Sequence, residues 1–265
     1  MRAWVEGVGL CGPGLDGWLA SRPLLLGVAD YRPAPTAIAA SELLPATERR
    51  RVGVPVKLAL AVGQEAFAGA GRDAAATATV FTSSGGDCDN VHQLCETLAT
   101  PQREVSPTRF HNSVHNVAAG YWSIATRSRA ASTSLCCHDA SFAAGLLEAA
   151  AQAGVDGGAV ALIAYDHPYP APLAAVRPVC ASFGVALVLA PRPTTRAFAV
   201  LDVEFAAQAA APTLMPGAAL EAIRAGVPAG RALPLLAALA RGSGERVALD
   251  FPGGAQVRVT VAPCS

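Results

Sequence analysis

The hydrophobic positions of this chain follow two periods. Residues 159–165 and 185–190 are continuous apolar runs, too short for helices and suited to strands covered on both faces. Residues 4–10 alternate more loosely and stop at Gly12-Pro13-Gly14, which predicts a short first strand and a turn. Residues 77–82 are rich in β-branched side chains and run into Ser83-Ser84-Gly85-Gly86-Asp87, a strand closed by a small-residue loop. Further strands are predicted over 131–135 and, after the turn Pro191-Arg192-Pro193, over 197–205.

Helical spacing takes over between these runs. Val56, Leu60 and Phe67 mark a buried helix over 55–70 with Pro55 in its first turn, and Val91, Leu94, Cys95 and Leu98 mark another. Ser106-Pro107-Thr108 caps a predicted helix from about residue 109 to 125 carrying Phe110, Val114, Val117, Tyr121 and Trp122. An Ala-rich helix is predicted over 141–153, ended by Gly154. Pro33, Pro35 and Pro45 predict a surface segment before Arg49-Arg50-Arg51.

Strand, loop and helix in this order define an α/β sheet. After residue 205 the character changes: 214–240 holds two short helical patterns broken by Pro228 and Pro234, and 246–263 reads as two strands joined at Gly253-Gly254. The expected organisation is one α/β domain over 1–205, with residues 206–265 a short helical and hairpin extension packed on it.

Composition narrows the function classes. The 265 residues are 52% hydrophobic and 15% charged, which supports a substantial core, and 20 basic side chains balance 20 acidic ones. That balance gives no broad footprint for nucleic acid or anionic lipid. No apolar run approaches the roughly eighteen residues of a spanning helix, and the first residues lack a long apolar signal core, so no membrane insertion and a cytoplasmic location are expected. The seven cysteines contain no Cys-x-x-Cys pair, so reduced thiols are expected.

The densest chemistry lies at Ser134-Leu135-Cys136-Cys137-His138-Asp139-Ala140-Ser141, between a predicted strand and helix. A nucleophile on such a turn stands above the sheet, and the following helix terminus can stabilise a thiolate. Cys136 and Cys137 are the candidates. His138 directly follows Cys137, a poor placement for a general base, and a buried turn of small side chains is the competing reading.

His111 and His115 are four apart, as metal ligands on one helix face would be, but Asn112-Ser113-Val114 between them lacks the Glu of His-Glu-x-x-His, and no third ligand follows at a diagnostic spacing. No metal and no cofactor are expected. The loop 83–87 lacks the Gly-Lys-Ser/Thr ending of a phosphate loop and reads as a tight turn. Asp166-His167 ends a strand, where α/β proteins often place functional groups.

Four phrases share one resemblance. They are Ser-Pro-Thr-Arg-Phe-His-Asn-Ser-Val-His-Asn-Val-Ala-Ala-Gly-Tyr-Trp from Ser106 to Trp122, Ser-Phe-Ala-Ala-Gly-Leu-Leu-Glu-Ala from Ser141 to Ala149, Phe-Thr-Ser-Ser-Gly-Gly-Asp from Phe81 to Asp87, and Leu-Ile-Ala-Tyr-Asp from Leu162 to Asp166. Together they resemble the short β-ketoacyl-synthase-like proteins, chain-length-factor-like, of aryl polyene and related pigment pathways.

The resemblance implies a thiolase-like fold, mainly the amino-terminal half of a ketosynthase. It covers about the first two hundred residues. In the ketosynthase pattern the nucleophile lies in a Thr-Ala-Cys turn before a helix, which falls here at about His138 or Asp139, one or two residues past the cysteine pair. Ketosynthases take two catalytic histidines and a lysine from a second half; the sixty residues after Phe205 contain neither His nor Lys.

The expected function is therefore a non-catalytic, chain-length-factor-like partner of a full-length catalytic ketosynthase subunit in a heterodimer, acting on acyl-carrier-protein thioesters in polyketide or fatty acid biosynthesis. By the same resemblance, Ser132, Thr133 and Ser134 should lie at the subunit interface, with Phe110, Tyr121 and Trp122 near the acyl tunnel. His111, Asn112, His115 and Asn116 are expected to hydrogen-bond at the junction. The alternatives are an independent thiol acyltransferase or hydrolase using Cys136 or Cys137, and a homodimeric acyl-binding scaffold.

Overall fold

The first strand, β1 (Arg2–Gly12), lies inside a nine-stranded mixed sheet of the computed structural model, which describes residues 1–39, 41–208 and 210–264. β2 (Leu15–Asp16), α1 (Trp18–Leu25), α2 (Ala46–Arg49), α3 (Val54–Ala70), β3 (Ala78–Thr82) and α4 (Cys88–Leu98) follow. Next come α5 (Pro107–Asn112), α6 (Val117–Thr126), β4 (Ser132–Leu135), α7 (Ser141–Asp156), β5 (Val160–Asp166), α8 (Leu173–Val176) and β6 (Phe183–Ala190). The chain closes with β7 (Ala199–Ala206), α9 (Ala218–Gly226), α10 (Leu233–Arg241), β8 (Glu245–Phe251) and β9 (Ala255–Pro263).

The strand order is β4-β3-β5-β6-β1-β7-β9-β8, with β2 folded back on the end of β1. β3 runs parallel to β4 and β5; the other neighbours are antiparallel. In β5, Val160, Leu162 and Ala164 enter one core, and Ala161, Ile163 and Tyr165 the other. β6 divides in the same way. Burial on both faces is the reason these two strands read as unbroken apolar runs.

Helices α3 and α6 supply the core on one face, and α7, α1 and α10 the core on the other. α3 lies directly on β1 because Gly7 and Gly9 carry no side chain: a Cβ at either would collide with the carbonyl of Ala66 or Val62. Strands β7, β9 and β8 are covered on one face only, where Leu201, Val203, Val257, Val259, Val247 and Leu249 are buried; Glu204 and Arg258 on the other face are exposed. The sheet twist carries these strands over α7, which touches β7, β8 and β9 as well as β1, β3, β5 and β6. The sixty residues after Phe205 are thus joined to the sheet through β9, paired along β7 from Ala199 to Ala206.

Several expectations need correction. The single helix over 109–125 is two, α5 and α6, interrupted at 113–116. Ser113 donates its hydroxyl to the Phe110 carbonyl at 2.8 Å, and His115 turns away to the Ser83 carbonyl, so local polar bonds displace the helical ladder. The Ala-rich helix passes Gly154 and stops only at Gly157, which adopts the left-handed conformation.

The Pro-rich amino-terminal stretch also contains α1, whose Trp18 and Leu25 are buried. Pro234 opens α10 instead of breaking a helix, since a first-turn proline has no amide to satisfy. The hairpin at Gly253-Gly254 is present, and both glycines take positive φ, as a tight reversal between β8 and β9 requires.

Candidate functional site

Because β4, β3 and β5 are parallel, their carboxyl ends meet at one end of the sheet. Three segments leave there: Cys136-Cys137-His138-Asp139 after β4, Ser83–Asp87 after β3, and Asp166-His167 after β5.

The turn after β4 has the strand–elbow–helix form. His138 opens a short 3₁₀ turn with φ of 51°, a left-handed conformation uncommon for a side chain of this size. Ser141 holds the bend: its hydroxyl donates to the His138 carbonyl at 2.7 Å and accepts from the Cys137 amide at 3.0 Å. The Ser141 carbonyl accepts from the Thr82 hydroxyl at 2.8 Å, tying the elbow to β3.

The Cys137 thiol is not activated by this arrangement. Burial pushes the half-buried Cys137 thiol up, and the neighbouring Cys136 adds to it, so the neutral form is favoured. Cys136 is exposed and points to the Ser84 carbonyl at 3.4 Å. The exposed His138 ring has Asp139 as its acidic neighbour, at 3.7 Å.

Asp139 is held by two arginines, Arg177 at 2.5 Å and Arg231 at 3.2 Å. Burial works against its charge, but the guanidinium groups outweigh it and hold the carboxyl below the ordinary aspartate range. Arg231 also reaches Asp250 at 3.2 Å, so residues from beyond β7 close over the turn.

Asp166 is buried and accepts from four donors. They are the Ser84 amide (2.8 Å) and hydroxyl (2.6 Å), the Ser83 hydroxyl (3.3 Å) and the Ala229 amide (2.8 Å). Tyr169 adds its hydroxyl to that of Ser84 at 2.7 Å. Desolvation outweighs these bonds, and the Asp166 carboxyl is pushed up to about 6. His167 turns elsewhere, to the Ser182 hydroxyl at 2.7 Å, and burial lowers its basicity.

The loop 83–87 is a tight turn, as read from the sequence: Ser83 accepts from the Gly86 amide at 2.9 Å, and Asp87 caps α4 by accepting from the Asn90 amide at 3.2 Å. His111 and His115 do not form a ligand pair. His115 lies beyond the end of α5 and bonds the Ser83 carbonyl at 3.1 Å, while His111 stands edge-on to Tyr121. Among the described residues no group of His, Cys, Asp and Glu could hold a metal ion.

The residues expected at a junction divide. Asn112 is buried within this chain, donating to the Arg51 carbonyl at 2.7 Å and accepting from the Tyr121 hydroxyl at 3.1 Å. Asn112 and His115 thus each have a bonding partner inside this chain. Tyr121 and Trp122 belong to its own core, Trp122 packing on Phe67 and Phe81 with ring centroids 5.3 and 6.3 Å away.

Phe110 is 60% exposed, as are parts of Val91, Leu98 and Val114 on the α4–α5 layer, and α4 buries no residue. Asn116, Ser132 and Ser134 line a shallow cavity of about 390 Å³ with Ala119, Gly120 and Ser123. It borders β4, the last strand of the sheet, whose outer edge has no partner among the described residues. Thr133 on that strand accepts from Gln152 at 2.9 Å.

Sequence reasoning named Asp166 and the loop 83–87 separately and missed their union through Ala229; it also missed Arg177 and Arg231. The one available signal was a carboxylate ending an apolar strand. Its partners lie far along the chain, and no local pattern reveals them.

A thiolase-like half with an elbow after β4 defines the class: the chain belongs to the β-ketoacyl synthase family, whose amino-terminal domain model matches residues 27–224. β1 lies before that stretch, and the structural matches include it. The fold is similar to the ketosynthase ApeO in complex with its chain length factor ApeC from Xenorhabdus doucetiae, at 22% identity and a TM-score of 0.73, covering 98% of this chain and 99% of that one. It is also similar to the ishigamide ketosynthase/chain length factor, at 16% identity and a TM-score of 0.74 over 100% of both chains.

A third structure, AntDE:AntF, an acyl carrier protein of a type II polyketide synthase with its ketosynthase bound to the hexaketide, matches at 11% identity and a TM-score of 0.74. The match covers 99% of each chain. No curated protein matches the sequence. Among the described residues no helix is long and apolar enough to cross a membrane.

Proposed function

We propose that this chain is a non-catalytic, chain-length-factor-like subunit that pairs with a catalytic ketosynthase and shapes its acyl tunnel, the growing chain being carried as an acyl-carrier-protein thioester of the aryl polyene type. The observation that carries this reading is the turn after β4. It has the form of an elbow, with His138 and an arginine-bound Asp139 at the positions expected for the nucleophile, beside a Cys137 thiol that favours the neutral form.

Two surfaces support pairing. The outer edge of β4 offers unpaired backbone groups next to a strip of small residues, and a sheet edge left in this state is a site for strand addition. The α4–α5 layer exposes Phe110, Val91, Leu98 and Val114, apolar area that a partner would cover. Residues 1–205 are read as the synthase half and 206–265 as an extension that braces the turn through Arg231 and Asp250.

The test is co-expression with a full-length ketosynthase, gel filtration, and elongation of a carrier-bound acyl group by each fraction. A one-to-one heterodimer that alone elongates is expected. Elongation by the lone chain would overturn the reading in favour of a thiol acyltransferase. A stable dimer of this chain that ignores the ketosynthase would favour the homodimeric scaffold, for which the same open edge would serve.

A further inference from the structure

A cavity of about 570 Å³ lies between α1, α3, β1 and α10, lined by residues separate from the elbow and its partners. Its volume is that of a small-molecule site. It is lined by the small residues Gly7, Ala68 and Gly69, which leave room, and by the apolar side chains of Trp18, Leu19, Phe198 and Leu239. Leu19 is 75% exposed and Phe198 39%, so large apolar surfaces at the cavity stand open to water.

The charged side chains lining this cavity, three arginines against two glutamates, leave one positive charge in excess. Its two carboxylates are occupied: Glu6 is bound by Arg72 and by the Thr194 hydroxyl, and Glu65 accepts from the backbone amides of Leu10 and Trp18. Of its three arginines, Arg241 pairs with Glu245. Arg196 is steadied on the carbonyls of Ala70 and Gly71 and stands near enough to Glu6 to favour that carboxylate's charge. Arg22 has no carboxylate partner among the described residues, and it stands one turn from Leu19 on α1. An apolar trough with one positive charge in excess, and with Arg22 lacking a carboxylate partner among the described residues, is complementary to a ligand with an apolar body and one anionic head.

We propose that this cavity binds an amphipathic carboxylate, a free acid with a medium-length apolar chain or aryl body, with the carboxylate on Arg22 and the body along Trp18, Leu19 and Phe198. The site is independent of the pairing reading, because none of its lining residues belongs to the elbow, to β4 or to the α4–α5 layer.

The test is calorimetric titration of the purified chain, and of its complex if one forms, with decanoate, decanol and decylamine. Decanoate should bind one site saturably, at least tenfold more tightly than decanol, and decylamine should not bind. Arg22→Glu should weaken decanoate at least tenfold, and Leu19→Asp should do so as well; both side chains are exposed, so unchanged thermal melting would show that each variant folds. No saturable decanoate binding, equal affinity for decylamine, or an Arg22→Glu variant that binds normally would overturn the proposal. Binding by the lone chain that vanishes in the complex would also overturn it, assigning the cavity to a protein partner.

Discussion

Two turns leave the same end of the sheet on either side of β3, and they are built in opposite ways. After β5, Asp166 is buried with its oxygens occupied by Ser83, Ser84 and Ala229. After β4, Cys136 and His138 are exposed, and the one carboxylate, Asp139, is tied down by arginines. The first turn is a joint, fastening the loop after β3 and the segment at Ala229 to the sheet. The second has an elbow's backbone and carries a Cys137 thiol that burial keeps in its neutral form. Bonds such as Ser141 to His138 hold the geometry of this second turn.

The strongest way to break this contrast is Asp166→Ala. The amides of Ser84 and Ala229 would be left without acceptors in a buried site, and the expected loss is on the order of 3–5 kcal/mol in chemical denaturation. A loss below about 1 kcal/mol would mean that the joint is not structural.

Acidification separates the two carboxylates next. Asp166 binds its proton more tightly in the folded chain, so its contribution to stability is full below the ordinary aspartate range near 4 and is lost as pH rises through about 6. Asp139, held below the ordinary range, does the opposite: its contribution stands above that range and is lost as pH falls through its own lowered value. Wild type should therefore gain on Asp166→Asn, by about 1–3 kcal/mol, between pH 7 and pH 4. A gap that stays flat with pH would show that Asp166 titrates normally.

Arg231→Ala removes the bridge from Asp139 to Asp250 but leaves Arg177 in place. Because these groups are partly open to water, a loss of about 1–2 kcal/mol is expected, shrinking in high salt. The smallest effect belongs to the thiols. Replacing Cys136 and Cys137 together by Ser should change stability by no more than about 1 kcal/mol, and iodoacetamide at pH 7 should label Cys137 no faster than free glutathione. Rapid, selective labelling of Cys137 would restore the case for a nucleophile.

The strands and most helices were legible because their signals are local. Two-sided burial writes an unbroken apolar run into β5 and β6, and Ser106 caps α5 as its position before that helix indicates; Asp87, read as part of a turn, caps α4. The break between α5 and α6 was not legible, because it depends on His115 finding a carbonyl in another loop. α1 was hidden for a related reason: its amino terminus is satisfied by Glu65 from α3, which accepts from the Trp18 amide at 2.5 Å, so no capping residue precedes it.

By itself the sequence determined the alternation of strands and helices and the family, since each is recorded in the order of neighbouring residues. Only the tertiary structure decided that Asp166 joins three segments, that Asp139 is held by Arg177 and Arg231, and that Tyr121 and Trp122 belong to this chain's own core. Those facts are contacts between residues tens of positions apart. Burial and charge at such contacts are set by which distant side chains fold against them.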